Sequence, residues 1–293
     1  MKYEHLGKTF NEVFRHYNAT VNNINIHYVK GGSGEPLVLL HGYPQTWYAF
    51  RYILPELARH FTLIIPDLRG LGDSDIPAGG YDTATVADDI FLLVTGLGYD
   101  KINLVGHDFG GNVAYAYAAS HRKSVKKMAI LDIGFLNFNL ANSPLLPQET
   151  KSLWWFPFQM VPGLPELLIA GREAVYLNWF FQNSSYIKNA ITEQDLQEYV
   201  RCYSEPGGLA AGFNYYRALF DDMRFNEEQS KIKLKIPVLV LGGEFSFGAR
   251  AADSWKLAAE NVQGLVIKNA GHYLLEEQPQ LTLNALLPFL LTP

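Results

Sequence analysis

Cysteine is nearly absent: the 293 residues hold one, Cys202, so no internal disulfide forms and the thiol's expected place is the core. No block of lysine or arginine occurs and the formal net charge is −5, which leaves nucleic acid without the basic stripe it requires. No apolar run reaches the ~20 residues of a membrane span. The N-terminal MKYEHLGKTFNEVF carries charges where a signal peptide needs an apolar centre. HExxH and P-loop patterns are missing, and GLGDSD at 70–75 is half a dinucleotide fingerprint without its third glycine. Neither a metal nor an organic cofactor is expected. The expected setting is the cytoplasm, away from membranes.

What the sequence does hold is an alternation of buried strands and amphipathic helices. INIHYVKG, PLVLLHG and FTLIIPD read as strands, with a helix expected over about Trp47 to His60. A second helix, about Thr85 to Leu97, leads to the strand INLVGHD; a third, through VAYAYAAS, leads to KKMAILDIG. Continuous apolar strands separated by helices predict an α/β fold, with a mostly parallel central sheet flanked by helices on both faces. The rhythm stops after Gly134. From Phe135 to Asp222 the chain is rich in aromatics and reads as helical, for example in LPELLIAGREAVYLNWFF and ITEQDLQEYVRCYS. It then resumes with the strands KIPVLVLGGE and NVQGLVIKNAGH and the helix QLTLNALLPFL. Residues 1–134 and 223–293 are therefore expected to form the core, and 135–222 a helical insertion.

Within that frame GHDFGG, 106–111, follows a strand and opens a helix. It has the form of the elbow G-x-S-x-G, whose glycines permit a tight turn that exposes a nucleophile. Asp108 occupies the tip in place of serine. A serine that attacks saturated carbon is left as an inert ether. A carboxylate gives an ester that an activated water then cleaves. Aspartate thus selects displacement at sp³ carbon, the opening of an epoxide or the expulsion of a halide, over acyl transfer.

Partners follow in the order nucleophile, acid, histidine. His272, in NAGHYLLEEQP after the last strand, is the expected base. Two acids compete. Asp132 ends MAILD, at the sheet edge where ligands gather in open α/β sheets, and is preferred; Glu244, in Gly243-Glu244-Phe245-Ser246, is the reserve. The acid would fix the imidazole tautomer and stabilise the imidazolium. The loop HGYP, 41–44, follows a buried strand, and the N–H groups of Tyr43 and Phe109 are the expected oxyanion hole.

Taken together, HGYPQTW, DLRGLGDSD, GHDFGG, LDIG and NAGHYLLEE resemble the α/β-hydrolases of the epoxide hydrolase and dehalogenase branch. LIAGRE (168–173) and NYYRAL (214–219) make the chain most similar to the Cif-type epoxide hydrolases. The resemblance implies an α/β-hydrolase fold with a helical cap inserted after the sixth strand, and supports Asp132 as the acid. It also implies two cap donors to the epoxide oxygen. Tyr216 matches the family's tyrosine, with Tyr215 beside it. Trp155, in SLWWF with Trp154, falls where the family places histidine, and would hold an epoxide oxygen or a halide by its indole N–H. The arginines that haloacetate dehalogenases carry after the nucleophile and three residues on are Phe109 and Asn112 here, so a small neutral, largely apolar substrate is expected. A dehalogenase of alkyl halides is the alternative, and a non-catalytic ligand-binding protein on the same scaffold the alternative of another class. A homodimer is the candidate assembly.

Overall fold

The structure is a computed structural model, and it describes residues 6–142 and 153–292. Residues 143–152 of the expected insertion, Ser152 of SLWWF among them, lie outside that range.

Eight strands form one sheet: β1 (Arg15–Val21), β2 (Ile24–Gly32), β3 (Glu35–Leu40), β4 (Phe61–Pro66), β5 (Ile102–His107), β6 (Val125–Leu131), β7 (Leu234–Gly243) and β8 (Ala259–Ile267). Their order across the sheet is β1-β2-β4-β3-β5-β6-β7-β8. The pairs β1–β2 and β2–β4 are antiparallel and the others parallel. The strands at the centre are buried on both faces, as Leu37 to Leu40, Leu63 to Ile65 and all of β5 show. Such burial is what their unbroken apolar runs require.

Two elements depart from the sequence pattern. β1 was not expected as a strand, because most of its side chains face solvent and give no apolar alternation. It is specified instead by its turn. Asn22 and Asn23 take φ of 46° and 61°, the conformation of a two-residue hairpin loop, and asparagine tolerates it better than other side-chain-bearing residues. The helix expected over Trp47 to His60 is a 3₁₀ turn, Trp47–Phe50, and a short helix, Leu54–Leu57. Pro55 stands in the first turn of the second piece; lacking an N–H, it starts a helix but cannot continue one.

The helices Thr83–Gly96 and Phe109–Ser120 pack beside each other against the sheet. Between β6 and β7 the described chain is helical. LPELLIAGREAVYLNWFF makes two helices, Leu164–Ile169 and Glu173–Ser184, separated by Gly171 at φ 77°. Glu193–Tyr203 begins with a capping box between Thr192 and Asp195, and Gly208–Arg217 and Leu219–Gln229 follow. The expected boundary at 222/223 falls inside the last of these.

Candidate active site

β5 delivers Asp108 to the sheet edge, and the turn into Phe109–Ser120 holds it at φ 51°, ψ −129°. A side chain at Gly106 would strike the Gly110 backbone, and one at Gly110 the Leu40 carbonyl. The elbow therefore closes only on glycine, and its strain is carried by the one residue that must stand proud.

The Asp108 carboxylate faces two ways. Oδ1 accepts the Tyr43 N–H at 2.9 Å, and the Phe109 N–H also bonds the group. Oδ2 lies 3.5 Å from His272 Nε2. The other imidazole nitrogen, Nδ1, is 2.7 Å from Asp132 Oδ2. Asp132 is fully buried, and its Oδ1 accepts N–H groups from Gly243 at 2.7 Å and Phe247 at 3.4 Å. Glu244 is placed otherwise. Its carboxylate takes Lys268 Nζ at 2.7 Å and the Asn269 N–H at 3.0 Å, fixing the loop before His272 without reaching the ring.

The two carboxylates set the charge on the histidine. Burial alone would lower His272, but hydrogen bonds and charge from Asp108 and Asp132 more than reverse this and raise it to about 10. Burial, the largest single effect, likewise works against the Asp108 anion, but the bond and charge of His272, with His107 and the Phe109 N–H, together outweigh it, so Asp108 sits below the usual carboxylate range. His107, beside Asp108, is driven down to about 4 by burial and by the charge of His272. It is neutral at pH 7, and its Nε2 lies 2.8 Å from the His272 carbonyl.

Aromatic rings roof the carboxylate. Tyr216, on Gly208–Arg217, meets Phe109, Phe156 and Tyr43 edge to face at 4.9, 5.1 and 5.3 Å. Its hydroxyl has no hydrogen-bond partner among the described residues. Burial, with the Asp108 charge adding, pushes the phenol far above its ordinary range, so it remains a donor. Tyr215 points elsewhere and gives its hydroxyl to the Arg69 carbonyl at 2.9 Å. Trp155 starts the helix Trp155–Met160 and packs on Trp154, Phe156, Trp179 and Phe180. Phe156, rather than Trp155, is the ring against Tyr216. Trp154 lies further out and is 36% exposed.

Some residues of the site were not singled out from the sequence. Gln159 is completely buried and gives Nε2 to the Tyr176 hydroxyl at 2.7 Å, with the Tyr43 hydroxyl at 3.5 Å. Arg51, Gln45, Glu276 and Glu277 also belong here. The last three lie inside HGYPQTW and NAGHYLLEE, so the motifs contained them while their spacing gave no role. Arg51 is consumed by Asp195 and Glu276 at 3.0 and 3.2 Å. Among the described residues no lysine or arginine pairs with Asp108, Asp132 or His272.

Comparison with known proteins agrees with this fold. Residues 35–279 match the family described as the alpha/beta hydrolase fold. A soluble epoxide hydrolase from Corynebacterium sp. (strain C12) is 39% identical over 276 residues, covering 94% of this chain and 96% of that protein. The crystal structure of Cfl2 from Burkholderia cenocepacia superposes with a TM-score of 0.87 at 37% identity, over 94% of this chain and 96% of its own. A fluoroacetate dehalogenase from Burkholderia sp. is 28% identical over 95% of this chain and 94% of that protein. With its mostly parallel sheet and a match over most of its length, the chain belongs to the α/β-hydrolase fold family.

Proposed function

We propose that the chain is an epoxide hydrolase that works through an ester on Asp108, with 135–222 as a cap over a core of 1–134 and 223–293. One observation carries the reading: a carboxylate stands at the elbow tip with one oxygen accepting the Tyr43 N–H and the other beside a His–Asp pair. The soluble epoxide hydrolase at 39% identity supports the same assignment.

In the first step Asp108 Oδ2 attacks an epoxide carbon and the ring C–O bond breaks. The alkoxide takes the proton of Tyr216. Forming the ester removes the Asp108 charge and with it much of what holds the proton on His272. That proton passes to the tyrosinate, which leaves His272 neutral. In the second step His272, oriented by Asp132, takes a proton from water as the hydroxide adds to Asp108 Cγ. The negative charge falls on Oδ1, which already accepts the Tyr43 N–H, and the Phe109 N–H beside it is assigned as the second donor. Collapse expels the diol oxygen, which takes the new carboxyl proton. Asp108 is again an anion and His272 again a cation.

An aromatic roof, with no lysine or arginine paired to the carboxylate among the described residues, supports a neutral substrate. Trp155 and Trp154 are assigned to the aromatic wall and Tyr215 to the support of Tyr216. No helix among the described residues is long and apolar enough to cross a membrane. The second reading, a dehalogenase of neutral alkyl halides, is favoured by the dehalogenase relative, with Trp155 N–H as the halide donor. Paired panels of epoxides and alkyl halides separate the two. Incubated with His272→Gln and weighed intact, the proposed enzyme gains the mass of a whole epoxide. Adducts from halides alone would favour the dehalogenase, and no adduct in either panel contradicts covalent catalysis.

A further inference from the structure

Glu277 is a buried carboxylate for which, among the described residues, no lysine, arginine or histidine serves as counter-ion. Its four partners are backbone N–H groups. Oε1 accepts from Tyr273 at 3.0 Å and Oε2 from Gly271 at 2.9 Å, the two residues that flank His272. Oε2 also accepts from Tyr186 at 2.6 Å and Ile187 at 2.9 Å, which follow the helix Glu173–Ser184. Burying a carboxylate costs several kcal/mol unless hydrogen bonds repay it. Oε2 alone takes N–H groups from both segments, while Oε1 closes the turn at Tyr273.

The same junction holds His272 by its backbone. The His272 N–H donates to the Ser184 carbonyl at 2.8 Å, and its carbonyl lies 2.8 Å from His107 Nε2. A side chain on Gly271 would collide with Ser184 and Tyr186. Segment 184–187 is therefore part of the mount of the base.

We infer that Glu277 is a positioning residue that locks His272 to segment 184–187, so that hydrolysis of the ester depends on it while formation of the ester does not. Attack needs Asp108 Oδ2 and Tyr216, neither of which Glu277 touches. Hydrolysis needs His272 Nε2 placed against a water and against Asp108 Cγ at once, and an error of about 1 Å in such an arrangement costs about 100-fold in rate. The inference rests on the covalent mechanism proposed above.

Single-turnover kinetics with styrene oxide as the probe, followed by rapid quench and intact mass, reads both steps. In Glu277→Gln, ester formation is expected within about threefold of the unaltered enzyme while hydrolysis falls about 10- to 100-fold, so that the adduct accumulates. Glu277→Asp, which keeps both oxygens, is expected to recover part of the loss. Equal decline of both steps, or hydrolysis at the original rate, overturns the inference. A second pair removes only a donor. Tyr186→Pro deletes the N–H, and Ser185 at φ −82°, ψ 142° is already in the conformation that precedes proline; Tyr186→Ala keeps the N–H and loses the ring. Hydrolysis slower in the proline variant supports the lock, and equal rates overturn it even if Glu277→Gln does not fold. No adduct in His272→Gln would overturn the covalent mechanism itself, and this inference with it.

Discussion

Asp108 and His272 set each other's charge. In the resting site the imidazole lies between two carboxylates and is raised to about 10, far from the ordinary 6.5, so the free enzyme holds it as a cation at neutral pH. A base must be neutral, and in the proposed mechanism the ester supplies that state by removing one of the two negative charges. Asp108→Asn mimics the loss: NMR titration should find the His272 pKa well below its value in the unaltered protein, and an unchanged value would contradict this coupling. The same shift stabilises the fold. Because the folded pKa is raised, the contribution is complete below about pH 6.5 and is lost as pH climbs towards about 10. Tyr216→Phe should lower the rate of ester formation on the order of 100-fold and leave hydrolysis of a preformed ester nearly untouched, measured in the same single-turnover assay. The positions of Asp108, His272 and Tyr216 were legible because each sits in a local motif. The carboxylate partner of His272 was not legible in the same way, since Asp132 and Glu244 both follow strands that end at one sheet edge. Only the pairing of β6 with β7 turns Asp132 to the ring and Glu244 to Lys268. Trp155 shows the opposite limit: its place in the motif is plain, but its packing on Trp179 and Phe180 is invisible to spacing.

Among the elements, the elbow tolerates least. Gly110→Ala puts a methyl group into the Leu40 carbonyl and should cost about 3 kcal/mol, read as a lowered denaturation midpoint with activity lost in proportion. The junction between Leu219–Gln229 and Thr83–Gly96 titrates. Asp222 accepts the Thr83 N–H at 2.7 Å and its hydroxyl at 2.9 Å, and burial, with Asp82 and Asp221 nearby, raises it to about 7. A raised carboxyl stabilises the fold below its unfolded pKa, near 3.8, and that contribution is lost as pH rises through about 7. Asp222→Asn keeps the acceptor without the charge. Calorimetry should show its Tm falling less than that of the unaltered protein between pH 4 and 8, and an identical pH profile would contradict the assignment. Central strands were readable from the sequence because burial on both faces writes continuous apolar runs. β1 was not, because an exposed edge strand takes its shape from its neighbour and its Asn22-Asn23 turn. The 47–60 segment misled because its apolar content reflects burial of Trp47 and Tyr48, while Pro55 divides the backbone.

Across the whole molecule, a buried polar cluster joins three parts of the chain. Arg51 reaches Asp195 on Glu193–Tyr203 and Glu276 in the segment after His272. Tyr48 adds a bond to Asp195 at 2.9 Å, Tyr199 one to Glu276 at 2.8 Å, and Gln45, from the loop that carries Tyr43, another at 2.8 Å. Loop, base segment and insertion thus share one set of charges, shielded from salt by burial. Arg51→Met would leave two carboxylates without their cation, a loss of about 3–5 kcal/mol, or about 10 °C in Tm for a protein of this size. A change under about 1 kcal/mol, the scale of an exposed pair, would show the cluster to be dispensable. None of this was legible in order along the sequence, because the participants are as far apart as Arg51 and Glu276 and no period relates them.

The most direct test of the account follows one oxygen atom. The free enzyme, in excess over styrene oxide, is allowed a single turnover in water enriched in oxygen-18. If Asp108 attacks carbon, the first diol carries no label and the peptide containing Asp108 gains it, because the entering water adds to Cγ. A diol labelled in that first turnover, with Asp108 unlabelled, would mean that water attacks the epoxide directly and that no ester forms.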